Sequence, residues 1–383
     1  MLRLVIGRAG SGKSELVMKT VEKLTGEGKR CLIVVPEQAS FFFERSLALR
    51  LKGEPASLAE VKNFKRLCRD IFNERGGGAK RLISDPLRAV LLRRAVHSLK
   101  DEIVFYRRHK NDAAFYTLAA DVINELKNGG VTCGALLDAA AKAKSPLSEA
   151  KMRELSLIWA TYEKIIADSF QDGADELTHA AELCGECSFF KGKTVFFDGF
   201  TGFTEPEFKM LGGIISSADE VYCTFCCDDI YSDADDSFSF VRKNARRLSA
   251  LAKKRGSEVY ITNSLTTLYR FKAEGLKAAE SFFGDGRDLS SSHDGVFLIK
   301  GGDLYSEAEQ VADEITALVR EEGYDYSDIA VIARDTERYR FAVKRTFSLY
   351  GIPLFFDEND NMLGTPVIKF FLGALALSDG ITT

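Results

Sequence analysis

The chain has 383 residues, of which 45% are hydrophobic and 28% charged, and its formal net charge is −4 at neutral pH. This length allows two or three domains, and the composition is that of a folded globular protein rather than a disordered one. No stretch approaches the roughly 18 uncharged apolar residues that cross a bilayer, and the first apolar run is too short for a secretory signal. We therefore expect a cytoplasmic protein with no membrane partner, whose eight cysteines are reduced.

Residues 7–14 read GRAGSGKS and match the pattern G-x-x-x-x-G-K-[S/T] at every fixed position. The run 2–6 before the motif predicts a strand, and the run 13–24 after it predicts a helix. In such a loop the backbone N–H groups turn toward phosphate oxygens, the lysine reaches the β- and γ-phosphates, and the hydroxyl ligates Mg²⁺. The motif predicts a nucleotide-phosphate site, with Ser14 as a magnesium ligand, made by Gly7, Arg8, Ala9, Gly10, Ser11, Gly12, Lys13 and Ser14.

A second apolar strand is predicted over 31–35, and the Pro-Glu-Gln that follows leaves the sheet at its carboxyl edge, where ligands bind in α/β sheets. The run VFFDGF, residues 195–200, predicts a further strand that ends in Asp198. A carboxylate in this position would hold Mg²⁺ beside a phosphate loop. The alternative is an aspartate that caps a turn.

The residue after this aspartate is Gly199, where a motor ATPase normally has a glutamate that activates the attacking water. ATP hydrolysis is therefore expected to be lost or feeble, unless Glu205 or Glu207 takes over as a displaced base.

Helical periodicity replaces the strand pattern between about Val61 and Cys187, with helices predicted over 85–99, 113–127 and 149–168 and Trp159 as a core residue. Within it, residues 61–110 carry 14 Lys and Arg against five Asp and Glu, with aromatic residues interleaved. This pattern is typical of a surface that follows a nucleic-acid backbone, although a solvated helical face gives it too. The DNA-contact candidates here are Arg66, Arg93 and Arg94.

The α/β pattern then resumes and is interrupted once, by the glycine- and serine-rich stretch 284–295, which predicts a linker. Before the linker we expect strands over 221–225 and 259–262, and helices over 205–216, 238–255 and 270–283. After it we expect strands over 296–299, 329–333 and 354–356, and helices over 306–321, 336–349 and 365–378. The predicted domains are a discontinuous first domain, an inserted helical subdomain and the start of a second α/β domain, over residues 1–60 with 190–285, 61–189 and 296–383, respectively.

Arg334 follows the predicted strand 329–333, from which an arginine could reach the γ-phosphate across a cleft between the two α/β domains. A surface arginine paired with Asp335 or Glu337 is an equal alternative. The acidic run 228–236 lacks the order of a calcium loop and is expected to be a solvated loop.

Together these segments resemble the AddB family, whose members are the B-type components of bacterial ATP-dependent helicase–deoxyribonucleases that process double-strand DNA ends. The layout also resembles that of superfamily 1 helicases, whose first motor domain carries an inserted helical subdomain. The likeness covers nearly the whole chain and is carried by GRAGSGKS (7–14), VPEQASFFFE (35–44), FDGFTGFTEPE (197–207), residues 306–335 and residues 350–363.

The resemblance implies a P-loop, RecA-like α/β fold that binds ATP and Mg²⁺ through Lys13, Ser14 and Asp198, with a degenerate motor. It implies that Gln38 touches DNA, that Arg334 is a catalytic arginine of a helicase motif, and that an AddA-type helicase–nuclease is the partner in a heterodimer on single- or double-stranded DNA ends. The family's nuclease and iron–sulfur cluster belong to a C-terminal part that we expect to lie beyond Thr383. Two other classes stay open: a free-standing P-loop kinase or phosphotransferase, and a scaffold protein stabilised by its nucleotide.

Overall fold

The structure, a computed structural model, describes residues 1–78, 80–100, 102–262, 265–283, 294–356 and 362–378. The chain divides into two compact units, Met1–Gly295 and Val296–Thr383, each treated by itself below. Most of the predicted linker, residues 284–293, lies outside the described residues.

The first unit is built on a six-stranded sheet in which all neighbouring strands run parallel. The strands of this unit are β1 (Leu2–Gly7), β2 (Arg30–Val34), β3 (Ala59–Lys62), β4 (Arg81–Leu82), β5 (Phe170–Gln171), β6 (Lys193–Phe197), β7 (Glu220–Cys226) and β8 (Val259–Ile261). The six-stranded sheet has the order β3-β2-β6-β7-β1-β8, and β4 pairs with β5 separately. The predicted α/β fold with a parallel sheet is confirmed at this level.

Twelve helices surround or extend this sheet among the described residues of the first unit. They are α1 (Lys13–Gly26), α2 (Ser40–Arg50), α3 (Glu54–Ser57), α4 (Phe64–Arg75), α5 (Asp85–Ser98), α6 (Ala113–Asn128), α7 (Cys133–Ala141), α8 (Pro146–Ile166), α9 (Gly173–Cys184), α10 (Glu205–Ser217), α11 (Ser239–Lys254) and α12 (Glu274–Ser281). The helices predicted over 85–99, 113–127 and 205–216 are confirmed, each with one end that differs by a single residue.

The central strands are buried on both faces because helices cover both sides of the sheet. In β2, Cys31 and Ile33 join a core with α1 and α2, whereas Leu32 and Val34 join the core on the opposite face, with α4, α9, α10 and α11. Side chains alternate between the two faces with the period of two that a strand dictates. This explains why the strand sequence is apolar throughout.

Helices α5 to α8 have a core of their own. Leu92, Tyr116, Ile123, Ile158 and Trp159 are buried in one cluster that is distinct from the two cores of the sheet. The prediction that Trp159 is a core residue is confirmed, since 3% of it is exposed.

Two sequence predictions for this region are wrong in detail. Strand β3 lies where helical periodicity was expected to begin, and β4 and β5 lie inside the segment predicted to contain no strands. Strand β3 is a short edge strand in which Ala59 and Val61 are buried and Glu60 is exposed. Four residues are too few for the alternation to stand out from a helical pattern.

The second unit contains α13 (Leu304–Glu321), α14 (Thr336–Tyr350) and α15 (Pro366–Ser378). Its core is formed where α13 and α14 pack together, through Ala312, Ile315, Ala342 and Phe347. The strands predicted over 296–299, 329–333 and 354–356 are wrong: among the described residues these segments belong to no sheet. A parallel strand requires a bonded neighbour; here Ile332 and Phe355 remain 92% and 90% exposed.

No helix in the part of the chain that the structure describes is both long and apolar enough to traverse a lipid bilayer.

Candidate nucleotide-binding site

The glycine-rich loop connects the end of β1 to the start of α1. Gly12 adopts a left-handed φ of 87° immediately before the first residue of α1, a conformation that strains residues with a side chain. The Nζ of Lys13 donates a hydrogen bond to the carbonyl oxygen of Arg8, 2.7 Å away. The lysine ammonium is thus held over the loop, at the N-terminus of a helix, where anions are favoured.

Asp198 follows β6 directly and is 2% exposed. Its Oδ1 accepts a hydrogen bond from the hydroxyl of Thr224 in β7, which separates β6 from β1 in the sheet. Its Oδ2 is buried and has no hydrogen-bond partner among the described residues. A buried carboxylate oxygen is costly to leave unsatisfied, so this atom fits a cation or a water shell around one.

Lys13 and Asp198 lie at the same carboxyl edge of one sheet and act on each other electrostatically. Burial lowers the pKa of the Lys13 ammonium, and the negative charge of Asp198 opposes that shift. The hydroxyl of Ser14 is on an exposed residue at the first turn of α1. The loop, a buried acid and a hydroxyl therefore supply the donor set that Mg²⁺ with a polyphosphate needs.

Gly199 has a φ of 82°, and a Cβ built on it would lie 3.4 Å from Cδ of Pro36. The two glutamates proposed as displaced bases are both engaged elsewhere. Glu205 forms an ion pair with Arg247, and Glu207 Oε2 accepts a hydrogen bond of 2.7 Å from the backbone N–H of Thr204, as part of a capping box at the start of α10. Within the fully described stretch 199–207 there is thus no unengaged carboxylate for water activation.

The segment around Tyr269 and Arg270, which was not predicted as part of the site, lies against the glycine-rich loop. The backbone N–H groups of Tyr269 and Arg270 donate to the carbonyl oxygen of Gly10, at 2.9 and 3.3 Å. A Cβ built on Gly10 would lie 2.9 Å from Cβ of Arg270, so the loop glycine is needed for this close approach. Arg270 is exposed, and its charge lowers the pKa of Lys13 in the same direction as burial, the main cause.

The side chain of Arg8 ties the same loop to α12. Its Nε donates to Oε1 of Glu280 at 2.7 Å, and its guanidinium lies 5.5 Å from the ring centroid of Phe238. The helix predicted over 270–283 begins only at Glu274. The prediction therefore placed Arg270 in a helix, although it belongs to the segment that contacts the glycine-rich loop.

The acidic run 228–236 is more than a solvated loop. Asp228 and Asp236 accept from the guanidinium of Arg242 at 3.2 and 2.6 Å, and the Arg242 side chain is fully buried. The run is solvated over most of its length, as predicted, and its two terminal aspartates also pair with Arg242 because a buried arginine needs carboxylates or carbonyls around it.

The other predicted site residues lie on elements other than the glycine-rich loop. Gln38 is exposed in a short 3-10 turn, Glu37–Ala39, beyond the carboxyl end of β2. Arg66 on α4 is ion-paired with Glu44, whereas Arg93 and Arg94 are exposed on α5. Arg334 belongs to the second unit, where it is exposed and ends an extended segment that is not a strand.

Similarity to known proteins extends over nearly the whole chain. A family model described as ADDB, N-terminal, matches residues 4–280. The B component of the ATP-dependent helicase/deoxyribonuclease of Clostridium novyi (strain NT) is 29% identical over 383 residues, which cover 98% of this chain and 34% of that relative. The protein of the same name from Desulforudis audaxviator (strain MP104C) is 30% identical over 387 residues, 98% of this chain and 33% of the relative. The one from Clostridioides difficile (strain 630) is 27% identical over 392 residues, 99% and 34%, respectively. The chain thus spans about one third of the length of these relatives.

Proposed function

Because the chain belongs to the family of ADDB N-terminal regions, we propose that it is the ATP-binding, helicase-like part of an AddB-type protein that binds single-stranded DNA during the processing of double-strand breaks. Its partner is an AddA-type helicase–nuclease. The observation that carries the nucleotide part is the position of Lys13 and of the unpartnered Asp198 Oδ2 at one edge of one sheet.

In this proposal residues 1–60 and 190–285 form a RecA-like P-loop domain, residues 61–189 are its helical insert, and residues 296–383 begin a second RecA-like domain. The separate core of α5 to α8 supports the middle of the insert, whereas α4 and α9, near its two ends, pack in a core of the six-stranded sheet. The division of the chain at Gly295 supports the start of a second domain.

The phosphate groups of ATP are bound by the backbone N–H groups of residues 7–14 and by the Lys13 ammonium. Ser14 and Asp198 would hold Mg²⁺, which would neutralise phosphate charge when bound. Thr224 orients the Asp198 carboxylate through its hydroxyl, and Asp198 Oδ2 would be available to the ion or its water shell. Two arginines are candidates for the triphosphate: Arg270, which lies on the loop, and Arg334 in the second unit.

Hydrolysis is slow or absent in this proposal because residues 199–207, which follow Asp198, offer no unengaged carboxylate that could activate the attacking water. Gly199 has none, and Glu205 and Glu207 are held by Arg247 and by the cap of α10. ATP then acts as a ligand that stabilises one conformation of the protein rather than as its fuel.

The experiment is calorimetric titration of the chain with ATP and Mg²⁺. Lys13→Ala removes a charged donor to the phosphates, a contact worth about 1.5–3 kcal/mol, so the affinity is expected to fall roughly 10- to 100-fold. Lys23→Ala, an exposed lysine in the last turn of the same helix, is the matched control and should bind as the parent does. Absence of ATP binding to the folded parent chain contradicts the nucleotide part of the proposal.

A further inference from the structure

The basic segment 61–110 is divided by its ion pairs into two parts of different character. In the first part, before residue 90, many cations are neutralised: Lys62 pairs with Asp70 at 2.6 Å, Lys65 with Glu37 at 2.8 Å, and other pairs hold Arg66, Arg75 and Arg88. In the second part, none of the exposed arginines and lysines forms an ion pair with a residue that the structure describes; they include Arg93, Arg94, Arg107, Arg108 and Lys110. The excess positive charge is therefore concentrated around α5 and the turn that follows it.

A buried carboxylate holds the turn 104–110 in one conformation by accepting hydrogen bonds from its backbone. Glu154 of α8 is 1% exposed, and it accepts hydrogen bonds from three successive backbone N–H groups, those of Val104, Phe105 and Tyr106, at 2.9, 2.8 and 3.0 Å. At the other end of the turn the Tyr116 hydroxyl donates to the carbonyl oxygen of Lys110. The cations are thus presented by a fixed backbone.

An additional lysine, from α8, joins the turn through an aromatic ring. The Arg108 guanidinium and the Lys151 ammonium lie 5.9 and 5.4 Å from the ring centroid of Phe105. Arg93 is close enough to the Tyr116 phenol to oppose the rise in its pKa that burial causes. We call the residues 104–110 together with Lys151 the cationic turn.

The chemistry of the cationic turn fits a string of phosphates better than a protein surface. Its Tyr106 ring contacts the helical core, its Phe105 ring contacts Arg108 and Lys151, and Val104 is its one large exposed apolar side chain. A protein interface needs an apolar anchor at its centre. Among the described acids near the turn, Glu154 is buried and bonded to the turn's backbone, Asp112 is engaged as the N-cap of α6, and Glu102 is exposed, so cations outnumber acids at its surface.

We propose that the cationic turn binds the phosphate backbone of DNA without reading its bases. This inference rests on the proposed function and assigns its DNA contact to the turn rather than to the ion-paired Arg66. Arginines form bidentate bonds with phosphate, and a fixed turn loses little conformational entropy when it binds. The rings of the turn already have partners, since Tyr106 packs on the helical core, Phe105 contacts Arg108 and Lys151, and His109 stacks with Phe115, so we do not expect a base to stack on them.

The test is a fluorescence titration of the whole chain with a mixed-sequence single strand and with a blunt duplex, each at several salt concentrations. The triple variant Arg107→Ala, Arg108→Ala, Lys110→Ala should bind both DNAs at least about tenfold more weakly. Its plot of log affinity against log salt for the single strand should flatten by about two, because each lost phosphate contact removes roughly 0.7 from that slope. Its ATP affinity should equal that of the parent.

The matched control removes three exposed lysines in the last turns of α1 and α11, outside the cationic turn: Lys23, Lys253 and Lys254. It changes the net charge equally and should keep the parent's affinity and salt slope. Two outcomes overturn this inference and leave the proposed function intact. One is DNA binding by the turn variant that equals that of the parent, and the other is an equal loss of DNA affinity in both triple variants. Failure of the parent chain to bind either DNA contradicts the proposed DNA function itself. If the turn variant binds DNA as the parent does but no longer binds an AddA-type partner, the turn is a protein contact, and the inference is likewise overturned.

Discussion

At the scale of single residues, the site combines a cation and a buried acid with one missing group. Lys13 lies near the buried Asp198, and yet the residue after the aspartate has a backbone conformation that strongly favours glycine. The site therefore lacks the glutamate side chain and also has, at this position, a backbone conformation that disfavours one. Replacing the side chain alone does not recreate the place that a glutamate occupies in a motor ATPase.

The substitution Gly199→Glu is expected to leave phosphate release from ATP unchanged. It should also lower the free energy of unfolding by about 1–3 kcal/mol, because φ at this position is 82°. Gly199→Ala carries the same backbone strain without a carboxylate and should destabilise the chain by a similar amount in urea denaturation. A rise in phosphate release with glutamate but not with alanine would show that the backbone can adapt and that the motor is repairable.

The loop and the acid of this site could be predicted from the sequence because each is a short contiguous pattern beside an apolar strand. Arg270 could not be found in that way. Its place is set by backbone hydrogen bonds to Gly10, some 260 residues earlier in the chain, and no local periodicity encodes such a contact. For the same reason the engagement of Glu205 by Arg247, 42 residues away, could not be predicted. Glu207 is different, because Thr204-x-x-Glu207 is the local sequence pattern of a capping box and could have been recognised.

At the scale of elements, the central strands could be predicted because burial on both faces makes them apolar throughout. The amphipathic helices could be predicted because one buried face gives apolar residues at three- and four-residue steps. The strands predicted in the second unit have the same apolar composition, but Ile332 and Phe355 remain exposed. Composition reports what a segment would do inside a sheet, whereas hydrogen-bonding neighbours decide whether the sheet exists. The prediction failed at that second requirement.

The contact between α8 and the cationic turn gives a prediction at this scale. Glu154→Gln leaves one carbonyl oxygen where a carboxylate accepted three N–H bonds, so the free energy of unfolding should fall by about 1–3 kcal/mol. Urea denaturation followed by fluorescence measures it directly, because the chain's single tryptophan, Trp159, lies on the same helix. Glu149→Gln, at an exposed position of α8, is the control and should change stability by less than about 0.5 kcal/mol. Equal stability of the two variants would mean that the turn does not depend on Glu154.

At the scale of the whole molecule, the chain has two compact units with separate cores, and the proposed nucleotide residues Lys13 and Asp198 both belong to the first. A ligand that binds only the folded form of one unit stabilises that unit by mass action, by about 2.7 kcal/mol at a concentration 100 times its dissociation constant. The second unit gains nothing from such a ligand unless Arg334 contributes to binding. Nucleotide should therefore raise the free energy of unfolding of the first unit and leave that of the second unit unchanged.

Calorimetric heating should accordingly show two transitions, of which ATP and Mg²⁺ raise the one that coincides with the change in Trp159 fluorescence. An increase of a few degrees is expected for a unit of this size, and Lys13→Ala should abolish it. If nucleotide raises both transitions together, the second unit shares in binding, and Arg334→Ala should then remove the shift of the second transition alone. If a single transition is seen by both methods with and without nucleotide, the two cores unfold cooperatively, and the division of the chain at Gly295 does not describe its energetics.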